Sequence, residues 1–126
     1  MKRILVVDDN APIRGLMREF IESRPGFEIC GEATDGLEGV EKGRELKPDL
    51  IVMDFLMPRL NGLQAAVILH EIAPDTPIIL FTFYKNTIPG DLAEAVGVAS
   101  ILSKTDQLAT LADEVQRLTA HDSSSN

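Results

Sequence analysis

The chain has 126 residues and a formal net charge of −8, with 44% hydrophobic residues. This length is enough for one domain with a proper hydrophobic core, and the apolar content excludes an intrinsically disordered chain. The acidic balance and the lack of a Lys/Arg cluster argue against a domain that binds nucleic acid by itself.

Strand and helix patterns alternate from the first residues onward. The apolar run Ile4–Val7 predicts a strand that is buried on both faces. Asn10 is a candidate N-cap for the first helix, with Pro12 in its first turn, and Pro25-Gly26 ends that helix. Its apolar residues fall at helical spacing: Ile13, Leu16, Met17, Phe20 and Ile21.

The next two units repeat this alternation. Phe27–Ala33 predicts a second, partly polar strand near an edge of the sheet. Asp35, with Glu38 three residues later, marks a second helix start, and the inner face of that helix is expected from Leu37, Val40 and Leu46. A third strand, Leu50–Met53, precedes a helix that opens at Asn61-Gly62, with one side formed by Leu63, Ala66, Val67 and His70.

The last two units are less regular. Ile78–Phe81 predicts a fourth strand, and the segment after it lacks helical periodicity, so we expect a short fourth helix at about Asp91 to Val96. Ala99–Ser103 predicts a fifth strand. Asp106 is a candidate N-cap for a last helix, whose inward residues are expected to be Leu108, Leu111, Ala112, Val115 and Leu118.

Five strand–helix units with right-handed crossovers leave few topologies. The predicted fold class is α/β, a flavodoxin-like doubly wound (βα)5 domain whose five-stranded parallel sheet has the order 2-1-3-4-5. Residues 1–120 are expected to form this domain, and residues 121–126 a polar tail or the start of a linker. In this order, strands one and three lie side by side.

Three aspartates stand directly after these two neighbouring strands. Asp8 and Asp9 follow the first strand, and Asp54 follows the third. Ligands bind at the carboxyl ends of parallel strands, and three carboxylates there would repel one another unless a hard cation such as Mg²⁺ relieved the repulsion. Thr82 after the fourth strand and Lys104 after the fifth add a hydroxyl and an amine to the same edge.

With these residues in order, the chain resembles the response-regulator receiver domains of two-component signalling. The resemblance runs from Lys2 to about Leu118, and the segment Cys30–Gly36 is most similar to receivers that precede a helix-turn-helix output domain, which implies transcription regulation. Each motif alone is weak, but together and at strand ends they are specific. They are Val7-Asp8-Asp9, Asp54, Met57-Pro58, Asn61-Gly62, Thr82 and Lys104.

The resemblance implies a role for each of these residues. Asp54 would be the phosphoacceptor and would form an aspartyl phosphate. Mg²⁺, or Mn²⁺ as an alternative, would be held by Asp8, Asp9, Asp54 and the backbone carbonyl of Leu56. Lys104 would pair with Asp54 and then with a phosphoryl oxygen, and the Thr82 hydroxyl would donate to the phosphoryl group.

The resemblance also implies partners. The phosphodonor would be a sensor histidine kinase or a phosphotransfer protein, and residues 82–118 would switch to control a partner, a homodimer or an output domain. The chain would catalyse its own phosphorylation and dephosphorylation without being a metabolic enzyme. A lone cysteine, Cys30, with no signal peptide or membrane span, favours a cytoplasmic protein without membrane partners.

Several positions depart from the family pattern. Thr105 stands where a proline usually follows the lysine through a cis peptide, Ile101 replaces an aromatic residue, and Phe83 is bulky where a small residue is usual. These departures keep open a phosphorylation-independent interaction module as an alternative function. Leu56 offers no side chain that could position a hydrolytic water, so we expect a long-lived phosphoryl group.

Two further function classes fit less well. An aspartyl-phosphate phosphatase needs a second acid two residues after its nucleophile, where this chain has Leu56. A flavodoxin-like cofactor binder needs a Gly- or Ser/Thr-rich loop after the first strand, where Asp8-Asp9 would repel a phosphate.

Overall fold

A computed structural model describes residues 1–120 of the chain. One parallel sheet has the order β2-β1-β3-β4-β5, which confirms the predicted fold class and strand order. Its strands are β1 Lys2–Val7, β2 Phe27–Ala33, β3 Leu50–Met53, β4 Ile78–Thr82 and β5 Val98–Ser103. The helices are α1 Ala11–Glu22, α2 Gly36–Leu46, α3 Gly62–Ile72, α4 Gly90–Ala95 and α5 Leu108–Thr119, with a 3₁₀ turn at Lys85–Thr87.

Helices cover both faces of the sheet, so the buried parts of the central strands are continuous apolar runs, such as Ile4–Val7 on β1 and Leu50–Met53 on β3. On β1, Leu5 and Val7 point into the core on one face, and Ile4 and Val6 into the core on the other. The first face is packed by side chains of α2, α3 and α4, and the second by side chains of α1 and α5. The short α4, predicted from the lack of periodicity before it, lies within one residue of its expected bounds.

Three helices begin at the residues that the sequence indicates. The side chain of Asn10 accepts a hydrogen bond from the backbone N–H of Ile13, and Asp35 accepts one from Glu38. Asn61 forms a capping box with Gln64, in which each side chain accepts a hydrogen bond from the backbone of the other. These bonds satisfy N–H groups that have no partner inside the helix.

The apolar residues of α1 at helical spacing are only partly buried. Leu16 and Phe20 are exposed, whereas Met17 and Ile21 are buried and Ile13 packs against the same core. Helical spacing marks a broad apolar stripe, but only its centre meets the sheet, and the flanking positions stay in solvent.

The expected inner face of α2 is wrong at Leu37, which is exposed, although Val40 is buried as expected. On the side of α3 singled out from the sequence, Ala66 is buried, whereas Val67 and His70 are exposed. The buried side chains of α3 are Ala65, Ala66 and Leu69. Val67 is two residues away from both Ala65 and Leu69, so the helical period places it on the opposite side of α3 from the buried stripe.

The expected cap of α5 is also wrong. Gln107 is the N-cap, without a side-chain hydrogen bond, and Asp106 instead accepts a hydrogen bond from the backbone N–H of Ser103. The expected inward residues of α5 do lie against the core, with Leu111, Ala112 and Val115 buried. No helix within residues 1–120 is long and apolar enough to cross a membrane. The predicted polar tail, residues 121–126, lies outside the described residues, so the domain bounds stay a prediction.

Candidate functional site

Two of the three aspartates are brought together by the pairing of β1 with β3. Val7 lies opposite Met53 in the register, and the backbone N–H of Asp54 donates to the Val7 carbonyl at 3.0 Å. Asp8 is fully buried and Asp54 is 8% exposed, whereas Asp9 lies at the surface. One carboxylate oxygen from each of Asp8, Asp9 and Asp54 lies within 4.8 Å of the other two.

Lys104 reaches this cluster from the end of β5. Its Nζ donates to Asp54 Oδ2 at 2.8 Å and lies 2.6 Å from Asp8 Oδ2, and its side chain is only 4% exposed. Asp8 Oδ2 is thus a buried acceptor that is held by an ion pair with this amine. The family resemblance implies the pairing with Asp54, but nothing in the spacing indicates that Asp8 shares the amine.

Burial and charge compete at this pair. Burial raises the pKa of Asp8 above its ordinary value, against the opposing effects of the Lys104 amine and of the Asn10 N–H that donates to Asp8 Oδ1. Burial also acts to lower the pKa of Lys104, but the two carboxylates outweigh it and hold that pKa above its ordinary value. The amine is therefore a fixed positive charge between Asp8 and Asp54.

Thr82 and Lys104 are held beside each other by the pairing of β4 with β5. Thr82 lies opposite Ser103, and the backbone N–H of Lys104 donates to the Thr82 carbonyl at 2.9 Å. Thr82 is fully buried, and its Oγ1 accepts a hydrogen bond from the backbone N–H of Tyr84 at 3.1 Å. The Lys104–Thr105 peptide is trans.

Phe83 lies next to this amine. Its ring centroid is 5.5 Å from Lys104 Nζ, within the range of a cation–π contact. From the sequence, Phe83 is only a bulky residue near the site; its contact with the lysine depends on how far β4 and β5 extend.

The loop after β3 holds Asp54 in place. The backbone N–H of Phe55 donates to Asp54 Oδ1 at 2.7 Å, and the N–H of Gly62 donates to the Phe55 carbonyl at 2.6 Å. A Cβ on Gly62 would lie 2.5 Å from the Asp54 carbonyl oxygen, so only glycine allows this approach. Leu56 lies in this loop with its side chain 53% exposed.

Two arginines support the site, and the sequence pattern does not indicate either of them. Arg14 Nη1 donates to the Asp8 carbonyl at 2.6 Å, which fixes the loop between β1 and α1. Arg59, in the loop after Asp54, has a φ of 70° and forms an ion pair with Asp35 at 3.0 Å. Since Asp35 also caps α2, this ion pair ties the loop after Asp54 to the start of that helix.

The donor set of the cluster fits a hard divalent cation. Three carboxylates supply oxygen atoms, which are the ligands that Mg²⁺ prefers. Because Asp9 is exposed, such a cation would keep water molecules on its open side, as Mg²⁺ prefers.

Comparison with known proteins identifies a family for this arrangement. A family model described as the response regulator receiver domain matches residues 4–116. The chain is 46% identical over 79 residues to the chemotaxis protein CheY of Thermotoga maritima, which covers 63% of this chain and 65% of that protein. It is 37% identical over 117 residues to the transcriptional regulatory protein LiaR of Bacillus subtilis, covering 92% of this chain and 55% of LiaR.

Further relatives and solved structures agree. The chain is 47% identical over 78 residues to a protein-glutamate methylesterase of T. maritima, covering 62% of this chain but only 23% of the enzyme. The response regulator domain of T. maritima CheB superimposes with a TM-score of 0.80 at 34% identity, covering 94% and 93% of the two chains. A LuxR-family response regulator of an Aurantimonas species superimposes with a TM-score of 0.88 at 29% identity, and the match covers 94% of this chain and 85% of that one. The chain thus spans less than two thirds of the length of these three curated relatives.

Proposed function

The chain belongs to the response regulator receiver domains of two-component signalling, and from this membership we propose that Asp54 is its phosphoacceptor and that phosphorylation requires Mg²⁺. The observation that supports this most directly is the position of Lys104, whose Nζ bridges Asp54 and Asp8. A buried amine held by two carboxylates is a preorganised positive charge at the place where a phosphoryl group would arrive.

The side chains around Asp54 fit an in-line attack on phosphorus. Oδ1 is held by the Phe55 N–H and Oδ2 by Lys104, so the carboxylate has a fixed orientation. As the phosphoryl group joins Asp54, Lys104 can transfer its contact to a phosphoryl oxygen while it keeps Asp8 as a second anchor. The Thr82 hydroxyl proton is not used in its bond with Tyr84, so it is free to be donated to the phosphoryl group.

Asp8, Asp9, Asp54 and the backbone carbonyl of Leu56 would hold the Mg²⁺. When bound, Mg²⁺ would supply positive charge that offsets the repulsion between the acidic cluster and the incoming phosphoryl oxygens. Mn²⁺ prefers the same oxygen ligands and is the alternative metal.

The proposed donor is a histidine kinase or a phosphotransfer protein in the cytoplasm, and residues 82–118 would pass on the signal to a partner, a second copy of the chain or an output domain. A receiver is a signalling switch, and the only reactions we assign to it are its own phosphorylation and dephosphorylation. The likeness to LiaR supports transcription regulation as the output of a longer protein. Residues 1–120 would be the switching domain.

The test is incubation with Mg²⁺ and acetyl phosphate, followed by intact-mass measurement. We expect one phosphoryl group on the wild type and none on Asp54→Asn or in the presence of a chelator. Asp75→Asn is a matched control, because Asp75 is an exposed aspartate that precedes β4, at the amino ends of the strands and away from the site. If neither acetyl phosphate nor a phosphorylated histidine kinase labels Asp54, the chain is the phosphorylation-independent interaction module instead.

A further inference from the structure

Phe83 is exposed directly after a strand whose residues are all buried. The strand is β4, and the exposed fraction of Phe83 is 62%. Its ring lies 5.5 Å from Lys104 Nζ, while the lysine side chain is almost completely covered. The ring therefore stands at the solvent side of the amine that contacts the phosphoacceptor.

Two more exposed apolar side chains neighbour the same site. Leu56 lies two residues after Asp54, and Tyr84 is fixed by the hydrogen bond from its backbone N–H to Thr82. Three large, exposed apolar side chains thus belong to residues that lie within two positions of Asp54 or Thr82. Water-exposed apolar groups that adjoin a polar site are a common feature of surfaces that bind a ligand.

We propose that Phe83 is a specificity-determining residue for the phosphodonor: its ring stacks on the leaving group and favours donors whose phosphoryl group is attached to a planar heteroaromatic ring. The proposal rests on the proposed function of Asp54. A phosphohistidine side chain has such a ring, whereas phosphoramidate and acetyl phosphate have none. Offset or edge-to-face contacts between aromatic rings contribute beyond the area that they bury.

The reaction step is the same for the two nitrogen-linked donors, N-phosphoimidazole and phosphoramidate. A bond forms between a carboxylate oxygen of Asp54 and phosphorus, and the bond between phosphorus and the donor nitrogen breaks. Its electron pair stays on that nitrogen, so a phosphoimidazole protonated on its second nitrogen leaves as neutral imidazole, and phosphoramidate protonated on nitrogen leaves as ammonia. Phe83 contacts only the leaving group, so its effect depends on which donor is used.

The test compares N-phosphoimidazole with phosphoramidate as donors for the full chain in Mg²⁺. The measured quantity is the ratio of the two initial phosphorylation rates, obtained by intact mass. We expect this ratio to fall about three- to tenfold in Phe83→Ala and Phe83→Leu, from the size of an aromatic contact, and to be kept in Phe83→Tyr. Leu92→Ala is the matched control, because Leu92 is an exposed apolar residue on α4 and should leave the ratio unchanged.

Each other outcome has a defined meaning. An unchanged ratio in Phe83→Ala overturns the proposal while the phosphoacceptor role of Asp54 stands, since both donors still label the protein. A ratio kept in Phe83→Leu but lost in Phe83→Ala overturns stacking, because bulk alone would then suffice. If neither donor labels the wild type, the donor selectivity is overturned, because a ring that favours heteroaromatic donors should leave N-phosphoimidazole active. The proposed function fails as well only if a phosphorylated histidine kinase gives no label either.

Discussion

Asp8 Oδ2 lies 2.6 Å from Lys104 Nζ, closer than the 2.8 Å between that amine and Asp54. The amine therefore has a second carboxylate to hold it when Asp54 changes its charge or its partners. Its positive charge lies against the carboxylates that a cation would bind. Lys104 therefore both stabilises the acidic cluster and competes with a metal for it.

Removal of this amine should lower the stability of the domain but strengthen its binding of Mg²⁺. Lys104→Ala leaves two buried carboxylates unpaired, and we expect the free energy of unfolding without metal to fall by about 3–5 kcal/mol. Mg²⁺ should bind this variant more tightly than the wild type, because the competing charge is gone, and should restore part of the stability. Urea unfolding with and without Mg²⁺ measures both effects.

Lys85→Ala is the control for that experiment, since Lys85 is an exposed lysine in the 3₁₀ turn after β4. It should change neither the stability nor the Mg²⁺ affinity. Weaker Mg²⁺ binding by Lys104→Ala would contradict the competition between amine and metal.

The close approach of Gly62 to the backbone of Asp54 predicts a sharp contrast between two glycines. A Cβ on Gly62 would lie 2.5 Å from the Asp54 carbonyl and 2.9 Å from Phe55 Cα, whereas a Cβ on Gly15 in α1 would meet nothing within 4 Å. We expect Gly62→Ala to destabilise the domain by about 1–3 kcal/mol through overpacking and to slow phosphorylation. Gly15→Ala should instead stabilise α1 by about 0.5–1 kcal/mol, as measured by urea unfolding. Equal stabilities of the two variants would show that the loop moves away freely.

The exposed Leu56 predicts a long-lived phosphoryl group. Its side chain has no hydrogen-bonding group that could orient a water molecule towards phosphorus. Leu56→Asn should speed dephosphorylation by up to about tenfold, the effect of one added hydrogen bond in the transition state. The measurement is the loss of phosphoprotein after the donor is removed, with Leu92→Ala as the control. A wild-type phosphoryl group that is lost as fast as that of Leu56→Asn would refute this reading of Leu56.

The ion pair between α5 residues Glu114 and Arg117 predicts a pH dependence of stability. Hydrogen bonds from Arg117 outweigh burial, and together with Ser100 they lower the pKa of Glu114 from 4.5 to about 2. Because the pKa is lower in the folded state, the stabilisation is fully present above pH 4.5 and is lost as the pH falls towards about 2. Glu114→Gln should therefore be less stable than the wild type at pH 7, and this difference should shrink at pH 3. A stability difference between Glu114→Gln and the wild type that grows as the pH falls would contradict this prediction.

The sequence by itself determined the fold class, the strand order and the start of three helices. Continuous apolar runs such as Leu50–Met53 mark strands that are covered on both faces, and Asn10, Asp35 and Asn61 supply the oxygen atoms that helix starts require. Strands and helix starts depend on residues close together in the chain. The strand order follows from the right-handed crossover rule, which leaves few topologies, so all three can be predicted from the sequence.

The tertiary structure decided which side chains meet. Asp8 follows β1 and Lys104 follows β5, and two strands separate them in the sheet, so their contact depends on the twist of the sheet and the reach of a lysine side chain. The contact between the Phe83 ring and that amine also depends on how β4 and β5 pack. Leu16 is exposed because helical spacing alone does not distinguish the buried centre of an apolar stripe from its exposed margin. Spacing along the chain gives neighbours within an element, whereas contacts across a sheet depend on the angles and distances at which the elements pack.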